Sequence, residues 1–484
     1  MKGGKKFVSV SWQGRGVNLE DIVNDLDDDQ RQVVETLGVP VGVIAGAGTG
    51  KTRTLTRRIT YGAHQGLIEP GATLAVTFTT SAAKELRQRL ESLGVAQVQT
   101  RTFHSAALRQ AQYFWPQAYN AALPALIDHR SDLLKDACQR LGLPSSSGVL
   151  AEIDLEISWT KQNNVLIEDY LDHAQREHRT ITRLDPQEVC DVMEAYEEAK
   201  QGARVIDYDD LLLCAVALLS AHEDITRQVR HTYRHLYFDE YQDISPIQAR
   251  LVDLWLGDRD DVCVVGDPAQ TIHHFAGSRS IYLENFGPHH DSARCFTLTN
   301  NYRSTPEILA LANRLTTGIQ LQAQNPSGDE VEFSAHRDTG EELTATAVWL
   351  KSHHQHGVDY HDMAVLFRTH AQVEEIGKYL GQEAIPFVFI NSDNLDNRPG
   401  VRIGTLHASK GMEWLVVALC GLQEGCLPHP LATSSAAIAE EKRLLYVGVT
   451  RARQGLRLSW SRIMRGHQTT LSRFLEPIVD LDST

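Results

Sequence analysis

Residues 45–52 of this chain read Ala-Gly-Ala-Gly-Thr-Gly-Lys-Thr, and few stretches of eight residues restrict a fold as tightly. The apolar run Val39 to Ile44 before it predicts a buried strand, and Arg53 to Gly62 after it can continue as a helix. A Gly-rich turn between strand and helix aims several backbone N–H groups and the positive helix end at one spot. In that setting Gly46, Gly48 and Gly50 let the backbone wrap a phosphate. Lys51 adds charge at the β- and γ-phosphates, and Thr52 offers a hydroxyl to Mg²⁺. Ala45 stands where the strict pattern has Gly. The competing reading, a Gly-rich turn that binds nothing, does not account for strand, loop, Lys-Thr and helix occurring together. The stretch predicts a nucleoside triphosphate site.

Composition sets the outer limits. With 484 residues, 42% hydrophobic and 23% charged, the chain fits an ordinary globular protein of about three domains. Its seven cysteines are scattered with no CxxC pair, so neither a zinc site nor a disulfide framework is expected, and a reducing cytoplasm fits. The first residues, MKGGKKFVSVSWQGRG, carry charge but no apolar core of a secretory signal. No apolar run approaches the roughly 18 residues needed to span a membrane. The net charge of −15 argues only weakly against nucleic acid, because electrostatic footprints are local.

Along the chain, short apolar runs end at chemically loaded residues: Val41–Ile44, Leu74–Thr79, Leu236–Phe238, Val262–Val265, Met363–Phe367, Val401–Thr405 and Leu415–Leu419. Helical patterns such as Ser81–Leu93 lie between them. This alternation predicts parallel sheets with functional residues at the carboxyl ends of the strands. From about Ala106 to Arg204 strand-like runs vanish and helices dominate, as in Arg130–Leu141 and Gln187–Gln201. The expected organisation is an extension (1–20), a first α/β lobe (21–105 and 205–279) with a helical insertion (106–204), and a second α/β lobe (280–484). The cluster His353, His354 and His356 reads as surface histidine, since no carboxylate or Cys accompanies it.

The second strong signal is Asp239-Glu240-Tyr241-Gln242-Asp243, directly after Leu236–Phe238. A carboxylate ending a buried strand can hold the Mg²⁺ of a bound nucleotide, and a second beside it can deprotonate the attacking water. Asp239 is assigned to the metal and Glu240 to the base. A solvated acidic turn is the alternative if the stretch is taken alone.

Together these boxes resemble those of superfamily 1A DNA helicases of the UvrD/PcrA/Rep type, and further matches follow in the family's order over nearly the whole chain. Leu26-Asp27-Asp28-Asp29-Gln30 resembles the Q motif, Ala75–Thr79 with Ala82, Ala83 and Glu85 motif Ia, and Thr102–Ser105 motif Ib. Asp207–Leu211 resembles the D-[FY]-D-D-L box, Val264–Asp267 with Gln270 motif III, and Asn301–Ser304 motif IV. Thr405–Trp414 resembles motif V and Tyr446–Ala452 motif VI. The resemblance implies two tandem RecA-like lobes that sandwich ATP. Gln30 would read the adenine edge, Tyr302 would stack on adenine, Glu413 would hold the ribose, and Arg53 would join the nucleotide-binding set. Arg303 and Arg451 would serve as arginine fingers from the second lobe, and Gln270 would sense the γ-phosphate. It further implies that Phe78, Tyr208 and Phe275 stack on bases of single-stranded DNA, while Thr102, His104, His407 and His429 contact its backbone or bases. Polarity, 3′ to 5′, and action at single-strand/duplex junctions come from the resemblance alone. So do a bacterial cytoplasmic, nucleoid-associated location, a monomeric core and a DNA-repair or nuclease partner.

Two departures stand out. Ile272-His273-His274-Phe275-Ala276-Gly277-Ser278 has His273 and Ala276 where the family carries Tyr and Arg, which puts the strength of base gripping and γ-phosphate coupling there in question. The version of motif III here resembles an actinobacterial branch, whose frequent tetracysteine segment and HRDC domain have no match in this chain. Between Phe387–Ile390 and Val401–Ile403, where relatives insert a subdomain called 2B, only residues 391–400 remain, rich in Asn, Asp, Pro and Gly. Ten such residues make a loop and cannot enclose a core. Two functions therefore stay open: an autonomous translocase and helicase, or a DNA-stimulated ATPase subunit that regulates a partner.

Overall fold

The computed structural model describes residues 19–177, 179, 181–274, 277–316, 318–390 and 398–479. Two parallel sheets carry the chemistry. The first holds β1 (Val41–Ala45), β2 (Thr73–Thr77), β3 (Gln99–Thr102), β4 (His235–Phe238), β5 (Val262–Gly266) and β6 (Arg294–Leu298) in the order β3-β2-β4-β5-β1-β6. Strands β2, β4 and β5 are buried at every residue, which is why they read as unbroken apolar runs rather than alternating ones. Apolar clusters cover both faces, one around Val43, Leu55 and Ile59, the other around Phe103, Leu212 and Trp255.

Around this sheet run α1 (Asp28–Glu35), α2 (Lys51–His64), α3 (Thr80–Ser92) and α4 (Phe103–Tyr119). The helical insertion contributes α5 (Ser131–Arg140), α6 (Ser147–Gln162) and α7 (Pro186–Ala203). Its core is its own: Leu134, Ile153, Ile157, Tyr170, Val189 and Tyr196 pack together. The chain then returns through α8 (Asp210–Ala221) and α9 (Pro246–Leu256).

The second sheet holds β7 (Glu332–Asp338), β8 (Met363–Phe367), β9 (Phe387–Phe389), β10 (Val401–Thr405), β11 (Trp414–Leu419) and β12 (Ala452–Met464), ordered β7-β12-β11-β8-β10-β9. Helix α10 (Ser435–Val449) packs its Leu444, Leu445 and Val447 against one face.

Two expected boundaries move. A break at 105/106 would cut α4, whose Phe103, Ala106, Ala107 and Phe114 all belong to the first lobe's core. A break at 279/280 would leave out β6, which pairs in parallel with β1 from Val41↔Arg294 to Ala45↔Leu298. Residues 391–397 of the expected loop lie outside the described residues.

Candidate ATP site and strand-binding cleft

Strand ends set the site. β1 runs into the Gly-rich turn, where Gly48 and Gly50 take φ of 69° and 80°, left-handed values that favour glycine. A Cβ on Gly48 would come within 2.5 Å of the Asn301 amide and 2.7 Å of the Arg303 Cβ. The turn is thus seated on the second lobe's motif IV segment, and Tyr302 N–H donates to Gly48 O at 2.9 Å. The Gln30 amide, almost fully buried, donates to Thr49 O at 2.9 Å and braces the same turn. Its capping partner Asp27 accepts from Tyr302 Oη at 2.6 Å and Asn300 Nδ2 at 3.1 Å.

At the end of β4, Asp239 accepts a 2.7 Å hydrogen bond from Thr52 Oγ1. Glu240 sits at φ 55°, an uncommon conformation for a non-glycine residue. It lies 3.8 Å from Lys51 Nζ and accepts from Gln242 Nε2 at 2.6 Å. Burial and the neighbouring Glu240 charge push the Asp239 carboxyl up. Burial would do the same to Glu240, but Lys51 and Lys410 outweigh it and hold that carboxyl down. Two adjacent acids are therefore driven apart in acidity, the arrangement that separates an ionised base from its neighbour.

The second lobe closes this centre. Arg451, 1% exposed, donates to Val447 O (2.9 Å), Met412 O (2.9 Å), Thr450 Oγ1 (3.2 Å) and Gln270 Oε1 (3.1 Å). Its acceptors are neutral oxygens, so the buried guanidinium has no carboxylate bonded to it among the described residues. Arg303 donates to Glu413 at 2.6 Å, placing the expected γ-phosphate arginine and the expected ribose ligand in one ion pair. Arg53 is ion-paired to Asp25 at 2.6 Å. Ala47, Gly48, Gly50, Lys51, Thr52, Arg53, Glu240, Gln270, Tyr302, Arg303, Glu413 and Arg451 are among the residues lining a cleft of about 530 Å³.

Sequence reading missed a residue that ties the two lobes directly. Lys410 forms an ion pair with buried Asp243 and donates to Gln270 O at 2.7 Å. It lay inside the quoted motif V box, but nothing in sequence spacing shows that it reaches across to the first lobe.

Two of the residues expected to face a strand, Phe78 and His407, are linked across this interface through His273. Phe78 and His273 stack with centroids 6.0 Å apart and planes 5° from parallel; His407 follows 6.3 Å beyond His273. Three rings from both lobes are thus linked through His273, which stacks on Phe78 and lies tilted by 42° to His407. His104 stacks on the exposed ring of Tyr208 at 4.1 Å. Thr102 is buried, and its hydroxyl accepts from Ser105 N to cap α4. His429, part-buried, follows Pro428 in the loop after β11, where its N–H donates to Glu441 at 2.9 Å. Phe275 lies outside the described residues.

Burial pushes the His104 imidazole down to about 4, with nearby Asp209 offsetting only part of the shift. The folded chain keeps His104 neutral while the unfolded chain protonates it near 6.5, so its contribution is full above that value and is lost as pH falls toward 4. His104→Gln should therefore lose less melting temperature than the wild type between pH 7.5 and 5. An equal loss in both would exclude His104 as an acid-sensitive element.

Comparison with known proteins shows the family. The UvrD/REP helicase N-terminal domain family matches residues 26–291, and the UvrD-like helicase C-terminal domain family matches 296–399 and 390–463. The chain belongs to the UvrD/REP helicase family. It is 32% identical to the ATP-dependent DNA helicase UvrD2 of Mycobacterium tuberculosis over 576 aligned positions, covering 95% of this chain and 82% of the relative. It is 27% identical to the ATP-dependent DNA helicase PcrA of Staphylococcus epidermidis, over 79% of this chain and 53% of that protein. The 576 positions exceed the 484 residues here, so that relative carries residues for which this chain has none.

Proposed function

We propose that this family member hydrolyses ATP between its two lobes to move 3′ to 5′ along single-stranded DNA and to separate duplex ahead of it. One observation carries the reading. The Lys410–Asp243 and Arg451–Gln270 contacts join the lobes at the nucleotide cleft, and the Phe78–His273–His407 ring contacts cross the same interface. Opening or closing the cleft must then shift ring spacing along a strand. Stacking on rings tolerates every base, which suits a sequence-independent motor.

The donor set fits Mg²⁺: a hydroxyl, a buried carboxylate and a second carboxylate beside it, all hard oxygens. Thr52 and Asp239 would hold the ion, which when bound supplies charge neutralisation across the β- and γ-phosphates. The protein's own groups do the rest. Lys51 and the turn's N–H groups orient the phosphates, and Glu240 takes the proton of the attacking water. Arg303 and Arg451 stabilise charge spreading over the γ-phosphoryl oxygens. Gln270, bonded to Arg451, registers the γ-phosphate through that arginine.

We also propose that the chain lacks 2B. β9 and β10 are adjacent and parallel, in register Phe387↔Val401, with only residues 390–400 between them. The C-terminal family match breaks at the same place. A surface that would lie near the duplex is then missing, so a DNA-stimulated ATPase serving a repair or nuclease partner is the second reading. Among the described residues no helix is long and apolar enough to cross a membrane.

The deciding experiment measures ATP hydrolysis with and without single-stranded DNA, beside strand separation on 3′-tailed and 5′-tailed duplexes. We expect strong stimulation and separation of the 3′-tailed substrate only. Stimulation without separation would favour the ATPase-subunit reading, and no stimulation would exclude both. Tyr208→Ala should weaken binding to short single-stranded DNA by about 1–3 kcal/mol, the worth of one stacking platform. Titration by fluorescence anisotropy reads this, and unchanged affinity would remove Tyr208 from the strand path.

A further inference from the structure

At the carboxyl end of α6, Gln162 is buried and its amide is used at both ends. Its Nε2 donates to Asp209 Oδ1 at 2.7 Å, and its Oε1 accepts from Ser245 Oγ at 2.8 Å. Asp209 follows Tyr208, the exposed ring proposed to stack on a base. Ser245 lies two residues past Asp243, the carboxylate that meets Lys410 of the second lobe. The same helix end is pressed against the motif III segment: a Cβ on Gly277 would stand 2.9 Å from Asn163 Nδ2 and 3.2 Å from Gln162 Cβ. Arg279 donates to Asn163 Oδ1 at 3.0 Å. Ser278 Oγ donates to Asp243 O and Arg279 N–H to Ile244 O, at 2.8 and 3.0 Å.

We propose that Gln162 is a positioning residue that couples strand binding to ATP hydrolysis through the helical insertion. It touches neither nucleotide nor strand. It joins the segment carrying Tyr208 to the segment that carries Asp243 and leads back to Glu240. A base seated on Tyr208 fixes Asp209. The shared amide transmits that position to Ser245, and the 243–245 segment sets Asp243 against Lys410. Both Asp209 and Ser245 have other anchors. Arg130 and Ser158 bond Asp209, and Gln248 Oε1 accepts from Ser245 N–H at 3.1 Å. Loss of the amide therefore uncouples the two segments without releasing either. The bridge is buried, so water does not replace it freely.

The inference rests on the reading of the chain as a DNA-stimulated ATPase, and one experiment separates the two. ATP turnover is measured with and without a saturating oligo(dT) for the wild type, Gln162→Leu and Gln162→Glu, with Ser245→Ala and the Gln162→Leu/Ser245→Ala pair closing a double-mutant cycle. Glutamate keeps the size and the acceptor toward Ser245 but sets a carboxylate against Asp209, so it cuts the strand-side arm alone. We expect both Gln162 variants to keep basal turnover when assayed below their melting transitions, with some melting temperature lost to the unpaired buried groups, while the stimulation ratio falls about 5- to 100-fold, the usual span of site-to-site coupling. The double variant should be no worse than Gln162→Leu. A purely structural role would lower basal and stimulated turnover together, and that result overturns the proposal. So does stimulation retained in Gln162→Glu, or additive losses in the cycle. A wild type that oligo(dT) does not stimulate overturns the functional reading itself, and this inference with it.

Discussion

Replacing Arg451 with alanine is expected to lower ATP turnover by about 10³–10⁵-fold, the range an arginine finger supplies. The structure gives the reason. Arg451 is a fully buried cation whose acceptors are two backbone carbonyls, the Thr450 hydroxyl and the Gln270 amide oxygen. Burial and the nearby Arg303 both act against its charge. A guanidinium held this way is costly to maintain without an anion, and the cleft it lines is where the γ-phosphate would arrive. Because its Nε and one terminal nitrogen are fixed by the second lobe and the other reaches Gln270 of the first, its aim depends on lobe closure. Arg451→Lys keeps the charge but cannot span these acceptors, so it too should fall by orders of magnitude. Steady-state turnover with saturating single-stranded DNA reads the effect. Binding of a fluorescent nucleotide and thermal melting check that site and fold persist. Turnover within tenfold of wild type in Arg451→Ala would exclude a direct role at the transferring phosphoryl group.

The parts legible in the sequence share a physical cause. β2, β4 and β5 are covered on both faces, so burial forces continuous apolar runs, and their polar endings mark the functional rim. β6 failed that test. Arg294-Cys295-Phe296-Thr297-Leu298 is an edge strand with only Leu298 buried, so nothing in its composition demanded a strand. Capping explains other features that were only partly readable. Thr102, expected to touch DNA, spends its hydroxyl on α4, and Asp27 serves both α1 and Tyr302. Contacts between distant segments were invisible. Lys410 meets Asp243 and Gln162 meets Ser245 across more than eighty positions, and no local spacing encodes such pairs. The replacement of Tyr by His273 leaves the strength of base gripping open from sequence; the fold adds that His273 neighbours Phe78 and His407, with burial and Lys410 keeping its ring neutral. A neutral imidazole is cheaper to bury there, beside Lys410, than a cation would be.

Glu240→Gln is the second change with a large expected effect, a loss of about 10²–10⁴ in turnover, the contribution of a positioned general base. Glu240 is one of six described non-glycine residues at positive φ, and it follows the carboxylate that meets Thr52. A φ of 55° costs a non-glycine residue something of order 1 kcal/mol or more, and the surroundings hold it there. Its carboxylate meets Lys51 and Gln242, while Asp239 accepts from Thr52. Lys51 and Lys410 keep it ionised despite burial, so at neutral pH it is ready to accept a proton. Asp239 beside it is pushed the other way and makes the poorer candidate for an always-ionised base, but a good one for a cation that would restore its charge. Glutamine preserves the size, the backbone and an oxygen for Gln242, but cannot take the proton. Nucleotide affinity should therefore hold while single-turnover hydrolysis collapses. Asp239→Asn should instead raise the Mg²⁺ concentration needed for activity. If Glu240→Gln hydrolyses ATP at the wild-type rate in a single turnover, the proton leaves by another route and Glu240 is not the base. If it loses nucleotide affinity as steeply as rate, the carboxylate acts on the bound ground state and not on the water.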